Sequence, residues 1–209
     1  MLNSFPTFTP ENIQELSDKL IELDPDFSRV VERFGYSPHF GRTPGFPSLI
    51  LIILEQQVSL ASARAAYNKL LARLNDDLRP ETFLTLSDEE LKTAGFSRQK
   101  TRYGRELANA ILTGQLNMDG LIHLPDEKVR TELIKIKGIG VWTANIYLMM
   151  CLNRIDIWPT GDIALEEAIK QIKGLDARPK KEKFEQWGEP WRPYRSIAAH
   201  LLWHYYLSI

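Results

Sequence analysis

From residue 9 to residue 207 the apolar side chains of this chain return at spacings of three and four, and nowhere do they alternate cleanly over more than a few residues. That period belongs to the α-helix, whose turns bring such positions onto one face; a half-buried strand has a period of two. TPENIQELSDKLIEL, DPDFSRVVERFG, SRQKTRYGRELANAILTG and PYRSIAAHLLWHYYL all follow it. The punctuation is helical too. Ser87 and Glu90 in SDEE make a capping box, and Pro125 stands at a first turn followed by acidic residues. Gly35, Gly114 and Gly174 each follow a periodic run, where a helix stops. The pattern predicts an all-α fold of about ten helices. It contains no internal repeat and no low-complexity segment.

The run FPSLILIILEQQVSLASARAAYNKLLARL divides into two helices, with Ser59 as N-cap of the second and Gln56–Gln57 at the joint. Amides between two apolar segments need partners or a surface, and the local pattern by itself favours an exposed stripe. SLILIILE is too short to span a membrane and reads as a buried helix. The first residues, MLNSFPTFTPENIQ, lack a basic start followed by an apolar core, so no secretory signal is read there.

With 209 residues, 44% hydrophobic and 25% charged, the chain has room for one large domain or two small lobes. Cys151 is its one cysteine, which excludes an internal disulfide, a Cys-ligated iron–sulfur cluster and a Cys-rich zinc site. A reducing, cytoplasmic compartment is expected, at the nucleoid if the source is bacterial. A net charge of −1 argues against a purely electrostatic nucleic-acid binder. Basic residues are instead grouped locally, in SRQKTRYGR, KIK, PKKEK and WRPYR, and each group by itself reads as a solvated helix face.

Residues 135–150, KIKGIGVWTANIYLMM, place a Gly-X-Gly turn between two apolar helices. Glycine at 138 and 140 permits positive φ and close approach by another backbone. The helix that starts near Val141 presents first-turn N–H groups and its positive dipole end at the turn, which suits an anion such as phosphate. Lys137 adds a charge. A bare Gly-X-Gly is more often a plain connection, and Asp162, after Pro159 and Gly161, reads in isolation as a helix N-cap.

Taken together, LEQQVSLASA, AGFSRQKTRYGRELA, KGIGVWTANIYLM, WPTGDIAL and WRPYRSIAAHLLW resemble, in order, the motifs of the helix-hairpin-helix DNA glycosylases of the Gly/Pro–Asp type. Within that superfamily the chain is most similar to the 3-methyladenine DNA glycosylase II branch. The resemblance runs from about residue 45 to the end. It implies two helical lobes flanking a DNA-binding cleft, one from about 1–45 with 155–209 and the other from about 46–154. The larger members' extra N-terminal mixed α/β lobe is not expected in a chain of this length.

The resemblance also implies roles. Gly138, Ile139 and Gly140, with Lys137 and Thr143, hold a DNA phosphate beside the damaged nucleotide. The carbonyls of Ile134, Ile136 and Ile139 hold a monovalent cation, Na+ or K+. Lys137 stands where the family has proline, which leaves the turn less rigid. Asp162 stabilises positive charge developing at C1′ and orients a water. Trp142 occupies the position of the lysine nucleophile of bifunctional relatives, so a monofunctional enzyme is implied. Trp142 and Trp203 match aromatics of the base pocket, whereas Ile146 and Ile163 replace tyrosines. Gln57 aligns with the residue wedged into the gap left by the flipped base. Flipping costs a few kcal/mol, and stacking on an aromatic ring recovers about 1–3 kcal/mol. Cationic alkylated purines such as 3-methyladenine or 7-methylguanine gain further from a π face.

His200 and His204 lack a third ligand at metal spacing and read as structural or pocket-rim residues. The implied partner is double-stranded DNA containing damaged bases, with no membrane and the protein as a monomer. Rival readings are a non-catalytic helix-hairpin-helix module for bent or damaged duplex, a helical interaction protein, and a glycosylase for a deaminated or oxidised base. Asp162 separates the enzymes from the module, which needs no acid after the Gly/Pro loop.

Overall fold

The computed structural model describes residues 5–209. The start of the expected first segment, residues 1–4, lies outside the described residues. Among the described residues, twelve α-helices and two 3₁₀ turns account for the regular structure, and the one β-bridge, Thr7 with Arg154, is isolated. The all-α expectation holds. The helices exceed the expected ten because α5 and α11 have only six and seven residues, too few for a period to declare itself.

In chain order the helices are α1 (Ile13–Leu23), α2 (Asp26–Phe34), α3 (Phe46–Glu55), α4 (Leu60–Arg73), α5 (Pro80–Thr85) and α6 (Asp88–Ala94). There follow α7 (Arg98–Leu112), α8 (Asp126–Ile134), α9 (Val141–Met150), α10 (Ile163–Ile172), α11 (Lys181–Trp187) and α12 (Arg195–Ser208). No helix among the described residues is long and apolar enough to cross a membrane. The chain divides into two compact units, Arg42–Tyr147, and residues 5–41 with Leu148–Ile209.

The first unit is built on α3. Its apolar residues face all directions, so it must be enclosed: Phe46 and every residue from Ser48 to Leu54 are buried, against α4 and α7. Gly104 lets α7 come close, because a Cβ there would lie 2.6 Å from the Phe83 ring and 3.3 Å from Ile50. The end of α3 is tied down twice. Lys100 Nζ donates to the Leu54 carbonyl at 2.7 Å, and Arg42 pairs with the Glu55 carboxylate through two bonds of 2.8 Å. Burial pushes the Lys100 ammonium below its ordinary pKa. The capping box at α6 forms as expected: Glu90 N–H donates to Ser87 Oγ, and Ser87 N–H to Glu90 Oε2 at 2.8 Å.

The second unit packs α12 against α1, α2 and α10. Every residue of α12 from Ser196 to Trp203 is buried. Ser196 latches the start of α12 to the segment before the Gly/Pro loop: its Oγ donates to the Arg154 carbonyl at 2.6 Å and accepts from Ile157 N–H at 3.0 Å. Trp158 then stacks on Phe184, with ring centroids 4.7 Å apart. The WRPYR group proves structural, because Arg192 and Arg195 pair with Asp156 and Glu189.

Candidate active site

In the first unit, α8 ends at Ile134 and α9 begins at Val141, so the two-glycine turn is a connection between helices, as the sequence predicts. Gly138 adopts φ +98°, and a Cβ on it would lie 2.1 Å from the Tyr103 ring. Glycine is therefore obligatory there for internal reasons. Gly140 differs: nothing lies within 4 Å of where its Cβ would be, and its φ is not positive. Its carbonyl accepts from Ala144 N–H at 3.0 Å, which starts α9. The protein's own packing leaves space at Gly140, beside the N-terminus of α9.

Lys137 is exposed on this turn and makes no ion pair among the described residues, whereas Lys135 pairs with Glu132 at 2.7 Å. Ile139 is buried and Ile134 exposed. The Ile136 carbonyl, one of the three expected at a cation, also accepts from Ile139 N–H at 3.0 Å. Thr143 is only 2% exposed, and its hydroxyl accepts from Gln56 Nε2 at 2.9 Å. Its hydroxyl thus faces the Gln56 amide. Trp142 is partly exposed in the first turn of α9, and Ile146, one turn on, is buried.

The joint between α3 and α4 lies in the same unit. Ser59 caps α4 as expected, accepting from Ser62 N–H at 3.2 Å. Gln57 is exposed and holds φ +57°, uncommon for a residue with a side chain. Val58 and Leu60 beside it are 46% and 54% exposed. Gln56 departs from the exposed stripe that local pattern favoured, since both of its partners lie on the turn and on α9.

In the second unit, Asp162 ends the Pro-Thr-Gly-Asp loop and caps α10. Its Oδ1 accepts from Leu165 N–H at 3.1 Å and from the Trp203 indole N–H at 3.3 Å. Asp162 and Trp203 are each 8% exposed, while Ile163, the first residue of α10, is 63% exposed. Burial, with the Asp162 charge nearby, raises the Glu166 carboxyl above its ordinary pKa. An N-cap role for Asp162 and its indole contact therefore coexist on one oxygen.

Behind Trp203 lies an aromatic cluster of Phe8, His39, Phe40 and His200. His200 is wholly buried, and its ring faces the Ser196 carbonyl at 2.9 Å; a carbonyl only accepts, so Nδ1 carries the proton. Burial lowers its pKa to about 4. His204 Nε2 donates to the Phe34 carbonyl at 3.0 Å, closing the end of α2. Among the described residues no group of His, Cys, Asp and Glu is placed to hold a metal ion.

The chain as a whole is similar to known proteins. The Alkylbase DNA glycosidase-like protein mag2 of Schizosaccharomyces pombe is 31% identical over 191 residues, spanning 88% of this chain and 89% of the relative. The solved structure of the S. pombe 3-methyladenine DNA glycosylase Mag1 in complex with abasic DNA matches with a TM-score of 0.85 at 27% identity, covering 90% of this chain and 95% of that one. The DNA-3-methyladenine glycosidase of Bacillus halodurans matches with a TM-score of 0.73 at 30% identity, over 90% and 87% of the two chains. Residues 50–193 match the family model described as HhH-GPD superfamily base excision DNA repair protein. With most of its length inside that match, the chain belongs to the HhH-GPD superfamily.

Proposed function

We propose that this protein is a monofunctional DNA glycosylase of base excision repair that hydrolyses the N-glycosidic bond of alkylated purines such as 3-methyladenine or 7-methylguanine. The observation that carries the proposal is the Asp162 carboxylate, set at the N-terminus of α10 with Oδ1 held by two N–H donors. As the C1′–N bond breaks, positive charge grows on the sugar. A fixed carboxylate stabilises that charge without reorganising at the moment of reaction, and it orients the water that supplies the hydroxyl at C1′. Trp142 stands at the family's lysine position, so no amine there forms a Schiff base. The names of the relatives support alkylated bases as substrates.

Double-stranded DNA is the partner, and the residues divide its recognition. Lys137 and the turn at Gly138, Ile139 and Gly140 take a phosphate through backbone amides and one ammonium, a contact that positions without reading sequence. With its hydroxyl engaged by Gln56, Thr143 shapes the turn. Gln57 is the wedge, and Trp142 offers a π face to the extruded base. The Ile134, Ile136 and Ile139 carbonyls would hold a Na+ or K+ ion; such hard oxygen donors suit it, and the Ile136 oxygen retains a second lone pair beside its hydrogen bond. The ion would supply positive charge near the phosphate.

Base release from methylated duplex tests the proposal, compared with uracil-, hypoxanthine- and oxidised-guanine-containing duplexes. Asp162→Asn keeps the cap, since Asn caps as well as Asp. It should abolish release while leaving affinity for an abasic-site analogue unchanged. Borohydride should trap no covalent adduct with the wild type. Full activity in the Asn variant would overturn the catalytic role of Asp162, and no base release by the wild type from any of these duplexes would leave a module that binds damaged duplex without catalysis.

A further inference from the structure

Gln56 is the last residue before the exposed tip at 57–60, and it spends both protons of its side-chain amide at once. Nε2 donates to the Gly138 carbonyl in the turn and to Thr143 Oγ1 in the first turn of α9, each at 2.9 Å. An amide nitrogen has two protons, so its donor capacity is used up. One planar group thus ties the joint after α3 to both sides of the two-glycine turn, across separations of 82 and 87 residues in sequence.

The bodies it joins are stiff. On one side, α3 is enclosed, with its Leu54 carbonyl held by Lys100 and its Glu55 carboxylate by Arg42. On the other, Gly138 is pinned under the Tyr103 ring, whose hydroxyl accepts from Gln99. Past Gln56 every residue to Leu60 is exposed, beginning with the positive φ of Gln57. A strained, exposed residue on a rigid base is what insertion into a stack requires, because little ordering entropy is left to lose on binding.

We propose that Gln56 is a positioning residue, which couples the Gln57 wedge to the phosphate-binding turn through its bonds to Gly138 and Thr143 and so sets the distance between gripped phosphate and filled gap. The proposal rests on the glycosylase reading of Gln57 and the turn. Its signature is coupling: the wedge's contribution to binding depends on Gln56, whereas a purely structural glutamine leaves the two effects independent.

A double-mutant cycle of Gln56→Met with Gln57→Ala tests this, read as affinity for a duplex carrying a tetrahydrofuran abasic analogue and for the same duplex undamaged. Methionine keeps the length of glutamine and removes the donors. With coupling, Gln57→Ala costs several-fold less in the Gln56→Met background than in the wild type, a difference of about fivefold as for residues sharing one network. Thr143→Val removes one of the two acceptors at nearly constant shape and should give intermediate coupling. It carries the cycle by itself if Gln56→Met fails to fold by circular dichroism. Multiplicative effects in a wild type that prefers the abasic duplex overturn the role of Gln56 alone. A wild type that binds both duplexes equally overturns the glycosylase reading and this inference with it.

Discussion

Asp162 takes two hydrogen bonds on one oxygen, and the proposed reaction draws on the charge of the same carboxylate. Its Oδ1 takes the α10 cap bond from Leu165 and the indole proton of Trp203, which fixes the plane of the carboxylate in the direction the loop gives it. Orientation of a charged group is worth measuring separately from its presence. Trp203→Phe keeps an aromatic ring in the cluster with Phe40 and His200 and removes the donor. A hydrogen bond to a charged group contributes about 1.5–3 kcal/mol. The expected result is single-turnover base release slowed by about tenfold to a hundredfold, with abasic-duplex affinity within about twofold. Equal losses in both measurements would mean that Trp203 serves binding and not the carboxylate.

Under the proposed function, the two-glycine turn answers two demands. Gly138 meets the protein's own demand, through its positive φ and the Tyr103 ring, so Gly138→Ala should lower the melting temperature and reduce DNA affinity together. The open space at Gly140 has no internal explanation. Gly140→Ala should melt within a few degrees of the wild type yet lose affinity for damaged and undamaged duplex alike, since phosphate contacts act on every sequence. Lys137→Ala should weaken binding more gently and lower the slope of log affinity against log salt by about one. Fluorescence anisotropy across a salt series, beside thermal melts, separates these outcomes. A Gly140→Ala protein that binds normally would remove the turn from the DNA contact.

At the scale of the molecule, His200 makes stability depend on pH. Its folded pKa of about 4 lies below the ordinary 6.5, because burial among Phe8, Phe40, Trp203 and His39 disfavours the cation. The unfolded chain therefore binds a proton that the folded chain refuses. Stability from this residue is complete above pH 6.5 and falls as the pH drops toward 4. The whole effect is about 3 kcal/mol, or roughly 10 °C in melting temperature for a chain of this size. Melts between pH 6.5 and 5, above the ordinary carboxylate range, should descend for the wild type and descend less steeply for His200→Leu. A descent of equal slope in that variant would place the titration elsewhere.

Periodicity and punctuation by themselves determined the all-α class, the division of residues 46–74 at Ser59, the two-glycine connection and the N-cap position of Asp162. Each depends on neighbours within a turn or two along the chain, and such local terms are written in residue order. Helices as short as α5 and α11 carry too few residues to announce a period, so the count came out low. What tertiary structure decided is where polar groups find partners. Gln56 looked like an exposed amide until Gly138 and Thr143 arrived from more than eighty residues away. WRPYR read by itself as a solvated helix face, and its arginines instead pair with Asp156 and Glu189. Thr143, placed by motif beside the turn, has its hydroxyl engaged by Gln56 and is buried. A buried donor must be satisfied wherever an acceptor lies in space, and the spacing of residues along a chain holds no record of that distance.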